Sequence, residues 1–349
     1  MARIVDLRSD TVTLPTPAMR RAMYEAEVGD DVYGEDPTIN RLEELSAERL
    51  GKEAAMFVAS GTMGNLVSVL THCTRGDEVI LGDQAHIFRY EAGGVSALGG
   101  VMVHTVPNLP NGMLDPDDVV SAFRDASDYH FPRTTLICLE NTHNRCGGRV
   151  LRPSQMAEIK AVAGRLGVPV HLDGARIFDA AVSLGIEAKE IAAQADSIQF
   201  CYSKGLAAPV GSAVCGSEAF VQEARRTRKL VGGGMRQGGI LAAAAIVAMD
   251  EMVDRLAEDH INAKTLAEGL EGIDGLGVDL DTVESNILMV DVMAPGLTAA
   301  QVAGALTSAG VKVNAMGPQR IRAVTHYGVD SDDTAYAIDV AQGVMDALT

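Results

Sequence analysis

The sequence predicts an α/β fold: a largely parallel, mixed β-sheet lying between helices, followed by a small α/β unit at the C-terminus. Between residues 52 and 216, short β-rich runs alternate with helical patterns. Charged and polar residues follow the ends of several of those runs, and after Gly216 the pattern changes to consecutive helices and then short strands. Alternation of this kind requires crossover helices and hence parallel strands covered on both faces.

In chain order, Pro37 at a first helical position and Gly51 past the end bracket a helix carrying Ile39, Leu42, Leu45 and Leu50. Strands are predicted over 54–59, 78–81, 100–106, 135–140, 168–173, 197–201 and 211–215. A helix is predicted over 154–166, where Met156, Ile159, Val162, Ala163 and Leu166 recur at 3–4 spacing and Gly167 stops the run. Helices over 218–230, 237–256 and 259–270 follow. The small unit has strands at 287–292, 311–313 and 322–326 and helices near 299–309 and 332–348. The expected division is a large domain over 1–250 and a small one over 251–349.

The chain has 349 residues, with 47 acidic against 29 basic side chains and a formal charge of −18. That balance argues against a nucleic-acid or polybasic membrane partner, both of which need clustered positive charge. Hydrophobic residues make up 47%, which excludes a disordered chain, and with aromatics at 4% and no Trp the core is mostly aliphatic. No apolar run approaches the ~18 residues that span a bilayer. Asp6, Arg8 and Asp10 interrupt the N-terminus, so a signal peptide is not expected and a cytoplasmic location is. The five cysteines form no CxxC pair and are expected as free thiols. No HExxH or zinc spacing occurs, so no metal site is expected.

Ligands of open α/β sheets bind outside the carboxyl ends of the strands. Here the predicted strands run into Asp83 and His86, into Glu140, Asn141 and His143, into Asp173 and Arg176, and into Tyr202, Ser203 and Lys204. The glycine turn Ser60–Asn65 opens a helix, whose N-terminal N–H groups suit a phosphate. It lacks the spacing of a P-loop or a dinucleotide fingerprint. A phosphate cradle, a lysine after one strand and a carboxylate ending its neighbour together suggest pyridoxal phosphate, with the lysine as covalent anchor and the acid against the pyridine nitrogen.

The chain resembles the L-threonine aldolases, pyridoxal-phosphate enzymes of fold type I within the β-eliminating lyases. The resemblance spans nearly the whole chain. It rests on DLRSDTVT at 6–13, GDDVYGEDP at 29–37, SGTMGN at 60–65, EAGG at 91–94, LENTHN at 139–144, HLDGARIF at 171–178, SKG at 203–205 and GGGMRQ at 232–237. It implies that Lys204 holds the cofactor, Asp173 faces its ring nitrogen, and Arg176 lies near its phenolic oxygen and the substrate carboxylate. Gly61 and Thr62 would bind the phosphate, and His86 would stack on the ring. His130 would lie near the substrate's β-hydroxyl, with His86 or His130 as the base, or a bound water in their place. Ser9 and Arg322 would hold the substrate carboxylate, with Tyr90 facing the substrate side chain. Tyr33, Lys229 and Arg236 would reach a neighbouring subunit's site, in a homo-oligomer expected to be a dimer of dimers. Lys229 and Arg236 also fit the cofactor phosphate.

The implied reaction is retro-aldol cleavage of L-threonine or L-allo-threonine to glycine and acetaldehyde. Alternatives are a sister lyase acting on phenylserine or 3-hydroxyaspartate, or a non-catalytic regulatory descendant. His72, His104, His171 and His260 have no match to the family's functional histidines and read as structural or surface residues. Arg145 and Cys146 receive no role.

Overall fold

The computed structural model describes residues 3–349. The strands are β1 (Val5–Asp6), β2 (Ala54–Val58), β3 (Glu78–Gly82), β4 (Met102–Val106), β5 (Thr134–Glu140), β6 (Val170–Asp173), β7 (Ser197–Cys201) and β8 (Ser212–Gly216). They continue as β9 (Leu276–Gly277), β10 (Ile287–Val292), β11 (Val311–Lys312), β12 (Asn314–Ala315) and β13 (Arg320–Val324). The α-helices from the N-terminus are α1 (Pro17–Glu25), α2 (Pro37–Leu50), α3 (Gly61–His72), α4 (His86–Arg89), α5 (Gly94–Ala97), α6 (Pro116–Ala122) and α7 (Pro153–Leu166). The remainder are α8 (Ile177–Leu184), α9 (Ala188–Ala192), α10 (Glu218–Leu230), α11 (Gly239–Glu251), α12 (Leu256–Glu271), α13 (Ala299–Ser308) and α14 (Ser331–Leu348).

The helix ends follow from local chemistry. Asp36 caps α2 by accepting from the Thr38 and Ile39 amides, Pro37 needs no partner in the first turn, and Gly51 ends the helix at φ 59°. Ser60 caps α3 by accepting from the Met63 amide.

Seven strands form the large sheet in the order β2–β8–β7–β6–β5–β3–β4. β8 is antiparallel to both its neighbours, and the pairs from β7 through β6, β5 and β3 to β4 are parallel. The carboxyl ends of β3, β5, β6 and β7 therefore meet along one edge, as the α/β expectation requires. Beneath the sheet lies a core that includes Phe57, Phe200 and Tyr202. Among the described residues no helix is long and apolar enough to cross a membrane.

A second, antiparallel sheet in the order β12–β13–β10–β9 carries its own core, with Leu266, Leu270, Val290 and Ile321. Several features differ from the expected elements, two of them near the junction of the two units. The helix expected over 237–256 ends at Glu251, and α12 starts at Leu256, because Met252 and Leu256 both turn into the large core. The strand expected over 311–313 ends at Lys312, and a separate strand follows at Asn314–Ala315. Val311 and Lys312 pair in parallel with Val5 and Asp6 of β1, while β12 joins β13. The N-terminal segment thus sends Val5 and Leu7 into the small core and delivers Asp10 to the junction of the two units.

Candidate active site

A cavity of about 350 Å³ opens where the carboxyl edge of the large sheet faces the small sheet. Ser9, His86, Tyr90, Arg176, Lys204 and Arg322 all line it, so residues from both ends of the chain meet there. Asn144 completes the wall beside Arg322.

Asp173 ends β6 and is 2% exposed. Its Oδ1 accepts from Gln199 Nε2 at 3.0 Å and from the Ala175 amide at 3.1 Å, and its Oδ2 accepts from Asn65 Nδ2 at 2.9 Å. Burial would raise this carboxyl, but the charges of His86 and Lys204 and these hydrogen bonds hold it below the usual range. His86 opens α4; its amide donates to Glu140 Oε2 at 2.7 Å and its Nδ1 lies 2.9 Å from Glu91 Oε1. Burial would lower the imidazole, yet the bond to Glu91 and the charge of Asp173 raise it above its ordinary value. Ligand atoms of His86, Glu91 and Asp173 lie within 4.8 Å of one another.

Lys204 follows β7, half-buried, and its carbonyl accepts from Thr13 Oγ1 at 3.1 Å, which pins the lysine's backbone to the N-terminal segment. Two arginines share the wall. Arg176 forks onto Asp10, with contacts of 2.6 and 2.7 Å, fully buried. Burial would raise Asp10, but Arg176 outweighs it and holds the carboxyl far below the usual range. Arg322, on β13, donates instead to the neutral acceptors Asn144 Oδ1 at 2.7 Å and the Arg8 carbonyl at 3.0 Å. Burial and the repulsion of Arg176 both lower its pKa, and its Nε is a buried donor without a partner. Of the two arginines on the cavity wall, Arg322 is the one without an anion.

The turn at Ser60 brings the first turn of α3 hard against β7. A Cβ on Gly64 would lie 2.4 Å from Gln199 Cγ, and one on Gly61 2.8 Å from Cys201 Sγ. The Met63 and Gly64 amides bond back to Ser60, while those of Gly61 and Thr62 are first-turn donors without an intrahelical partner. The Tyr90 hydroxyl accepts from Arg145 Nη1 at 2.9 Å, and its ring sits 5.5 Å from that of His86.

Other expected residues lie elsewhere within the chain. His130 is on the loop that enters β5 from its amino end, the opposite edge of the sheet. Its side chain is 71% exposed, with Nδ1 2.8 Å from Asp128 Oδ1. A single chain does not bring it to the substrate position the resemblance implies. Tyr33, Lys229 and Arg236 form an exposed cluster: the Asp31 amide donates to the Arg236 carbonyl, Arg236 pairs with Asp30, and Arg228 pairs with Asp31. None of the three lines the cavity.

The site also contains residues to which the sequence alone assigns no role. Glu140 accepts from the His86 and Asn144 amides, one on each oxygen, and so ties two walls together. Asp10, Asn65, Glu91, Gln199 and Asn144 hold the groups that face the cavity. Asp10, Asn65, Glu91 and Asn144 fall inside the motifs quoted above, which was the available signal; Gln199 falls in a plain strand pattern and had none.

A family model described as beta-eliminating lyase matches residues 6–294. Low-specificity L-threonine aldolase 1 of Arabidopsis thaliana is 49% identical over 347 residues, covering 98% of this chain and 97% of that protein. Low specificity L-threonine aldolase of Escherichia coli K12 is 44% identical over 332 residues, covering 95% and 96%. A threonine aldolase structure from Leishmania major superposes with a TM-score of 0.83 over 97% of this chain and 99% of that one. At 22% identity that likeness shows the fold.

Proposed function

The chain belongs to the beta-eliminating lyase family, and from that membership we propose that it is a pyridoxal-phosphate-dependent aldolase cleaving L-threonine or L-allo-threonine to glycine and acetaldehyde. The observation that carries the proposal is the convergence of Lys204, His86 and the uncompensated Arg322 on one cavity, with Asp173 buried beside His86. The donor set fits the cofactor. Lys204 offers a primary amine for a covalent link, and Asp173, an ionised acceptor, suits a protonated ring nitrogen. The His86 ring offers a stacking face, and the Gly61 and Thr62 amides suit a phosphate. The chemistry pyridoxal phosphate supplies when bound is an electron sink conjugated to Cα of the amino acid.

The protein's own residues then have three tasks. Arg322, with Ser9 beside it, grips the substrate carboxylate as a planar fork grips two oxygens, and so fixes rotation about Cα. Arg176, neutralised by Asp10, shapes the wall and contributes little net charge. His86 Nδ1 is committed to Glu91, which leaves Nε2 as the atom that takes the β-hydroxyl proton, with Tyr90 beside it on the side-chain wall. A positioned base of this kind contributes about 10²–10⁴-fold. Tyr33, Lys229 and Arg236 complete a partner's cavity in a homo-oligomer; their clustering on an exposed face supports this assignment.

The test is an acetaldehyde-release assay on the four threonine stereoisomers with the cofactor's visible absorption recorded first. The expected result is cleavage of the L-isomers and loss of both the covalent band and turnover in Lys204→Ala. A wild type that binds cofactor but releases no acetaldehyde from either L-isomer refutes the aldolase assignment, and a covalent band that persists in Lys204→Ala refutes the role of Lys204.

A further inference from the structure

Behind the cavity wall runs a line of buried polar side chains with no task in the chemistry above. Asn65, on α3, touches three groups. Its Nδ2 donates to Asp173 Oδ2 at 2.9 Å and to Glu91 Oε1 at 2.8 Å, and its Oδ1 lies 3.2 Å from His171 Nε2. His171 Nδ1 lies 2.9 Å from Ser197 Oγ, and that hydroxyl lies 2.7 Å from His72 Nε2. Asn65, His171 and Ser197 are each at most 1% exposed.

The direction of every bond in this line is determined. Two carboxylate oxygens flank Asn65 Nδ2, and a flipped amide would set oxygen against both, so the amide has one orientation. Its Oδ1 can only accept, so His171 Nε2 carries a hydrogen. Burial, with His72 as the next contributor, pushes His171 well below its ordinary value, so the ring is neutral and Nδ1 is a lone pair. Ser197 therefore donates to His171 Nδ1, and the hydroxyl oxygen accepts from His72 Nε2–H. His72 is pushed down to about 4 by burial and is neutral as well.

We propose that Asn65 and His171 are positioning residues: a one-way chain of hydrogen bonds from His72 through Ser197, His171 and Asn65 ends on Asp173 and Glu91 and fixes both as acceptors. Through one amide it links the acid placed for the pyridine nitrogen to the acid that holds His86. With Gln199 and the Ala175 amide on Oδ1 and Asn65 on Oδ2, Asp173 has only acceptor capacity left for a ligand. The group it faces must bring the proton. This inference rests on the proposed cofactor chemistry for its consequence, while the hydrogen-bond directions stand on the protein alone.

The experiment uses cofactor-loaded wild type, Asn65→Leu, His171→Phe and His171→Gln. The Gln side chain keeps an N–H for Asn65 and a carbonyl for Ser197. Histidine-¹⁵N-labelled wild type should show neutral Nε2–H tautomers at His72 and His171 across about pH 5.5–8.5, a window in which an unperturbed imidazole titrates. His171→Phe and Asn65→Leu should move the pH midpoint of the bound cofactor's absorption and lower kcat by about tenfold, the equivalent of one lost buried hydrogen bond, with little change in KM. His171→Gln should restore both.

An Nδ1–H tautomer or an imidazolium at His171 in that range overturns the proposal, and this measurement holds even if a variant fails to fold. A wild-type absorption midpoint in His171→Phe overturns it too, as does a defect that His171→Gln does not relieve. A wild type with no visible band at all refutes the cofactor assignment and this inference together, and the missing band distinguishes that outcome from failure of the hydrogen-bond chain alone.

Discussion

Arg176 and Arg322 have the same side chain and line the same cavity, yet their surroundings give them different work. Arg176 is closed onto Asp10 by two short contacts, whereas Arg322 is held by two neutral acceptors and faces a second guanidinium. Arg322→Ala should therefore raise KM for the amino acid by about 10–100-fold, the loss of a charge-assisted fork, with the unfolding midpoint nearly unchanged. Asp10→Asn strands a buried guanidinium and should cost about 3–5 kcal/mol of stability in denaturant unfolding. If Arg322→Ala leaves KM as it was, the carboxylate binds elsewhere. If Asp10→Asn is neutral, the Asp10–Arg176 pair is not what anchors the N-terminal segment. The sequence named both arginines but could not rank them, because the ranking depends on Asp10, which is 166 residues from Arg176.

At the scale of the element, α3 is set by what its glycines lack. Gly64 faces Gln199 so closely that a Cβ would overlap it, and Gln199 is one of the three donors on Asp173. Gly64→Ala should push α3 off β7, costing about 1–3 kcal/mol of stability and weakening cofactor binding in an equilibrium titration. Gly304→Ala, inside α13 with open space around the added methyl, should instead be neutral or stabilising by up to about 1 kcal/mol. Equal behaviour of the two variants would show that close approach of α3 to the sheet is not what Gly64 provides. The helical period, the glycine turn at Ser60–Asn65 and the strand runs were legible in the sequence. The two-residue strands β1, β9 and β12 were not, since two residues carry no periodicity and form only where a partner edge is already in place.

At the scale of the whole molecule, the proposed reach of Tyr33, Lys229 and Arg236 into a neighbouring subunit's site would make one chain an incomplete catalyst. Mixing inactive Lys204→Ala with inactive Lys229→Ala after reversible dissociation should recover about a quarter of wild-type activity, since half of randomly paired dimers would hold one intact site. No recovery, together with the mass of a single chain in light scattering, would remove the shared-site proposal. The two-unit architecture makes the same point within a chain: the N-terminal strand pairs with β11, so the first and last parts of the sequence fold against each other around the cavity.

The sequence by itself determined the α/β alternation, the strand ends that carry Asp173 and Lys204, the glycine turn before α3 and the acidic character of the chain. Those features are local, written in period, caps and motifs within a few residues of one another. Only the tertiary structure decided that His86 lines the cavity while His130 of the same chain sits at the opposite sheet edge, that Arg322 rather than Arg176 lacks an anion, and that His171 lies behind Asp173. Strand order and direction bring residues together regardless of their separation along the chain. A buried side chain's charge and hydrogen-bond role are set by the neighbours which that folding supplies.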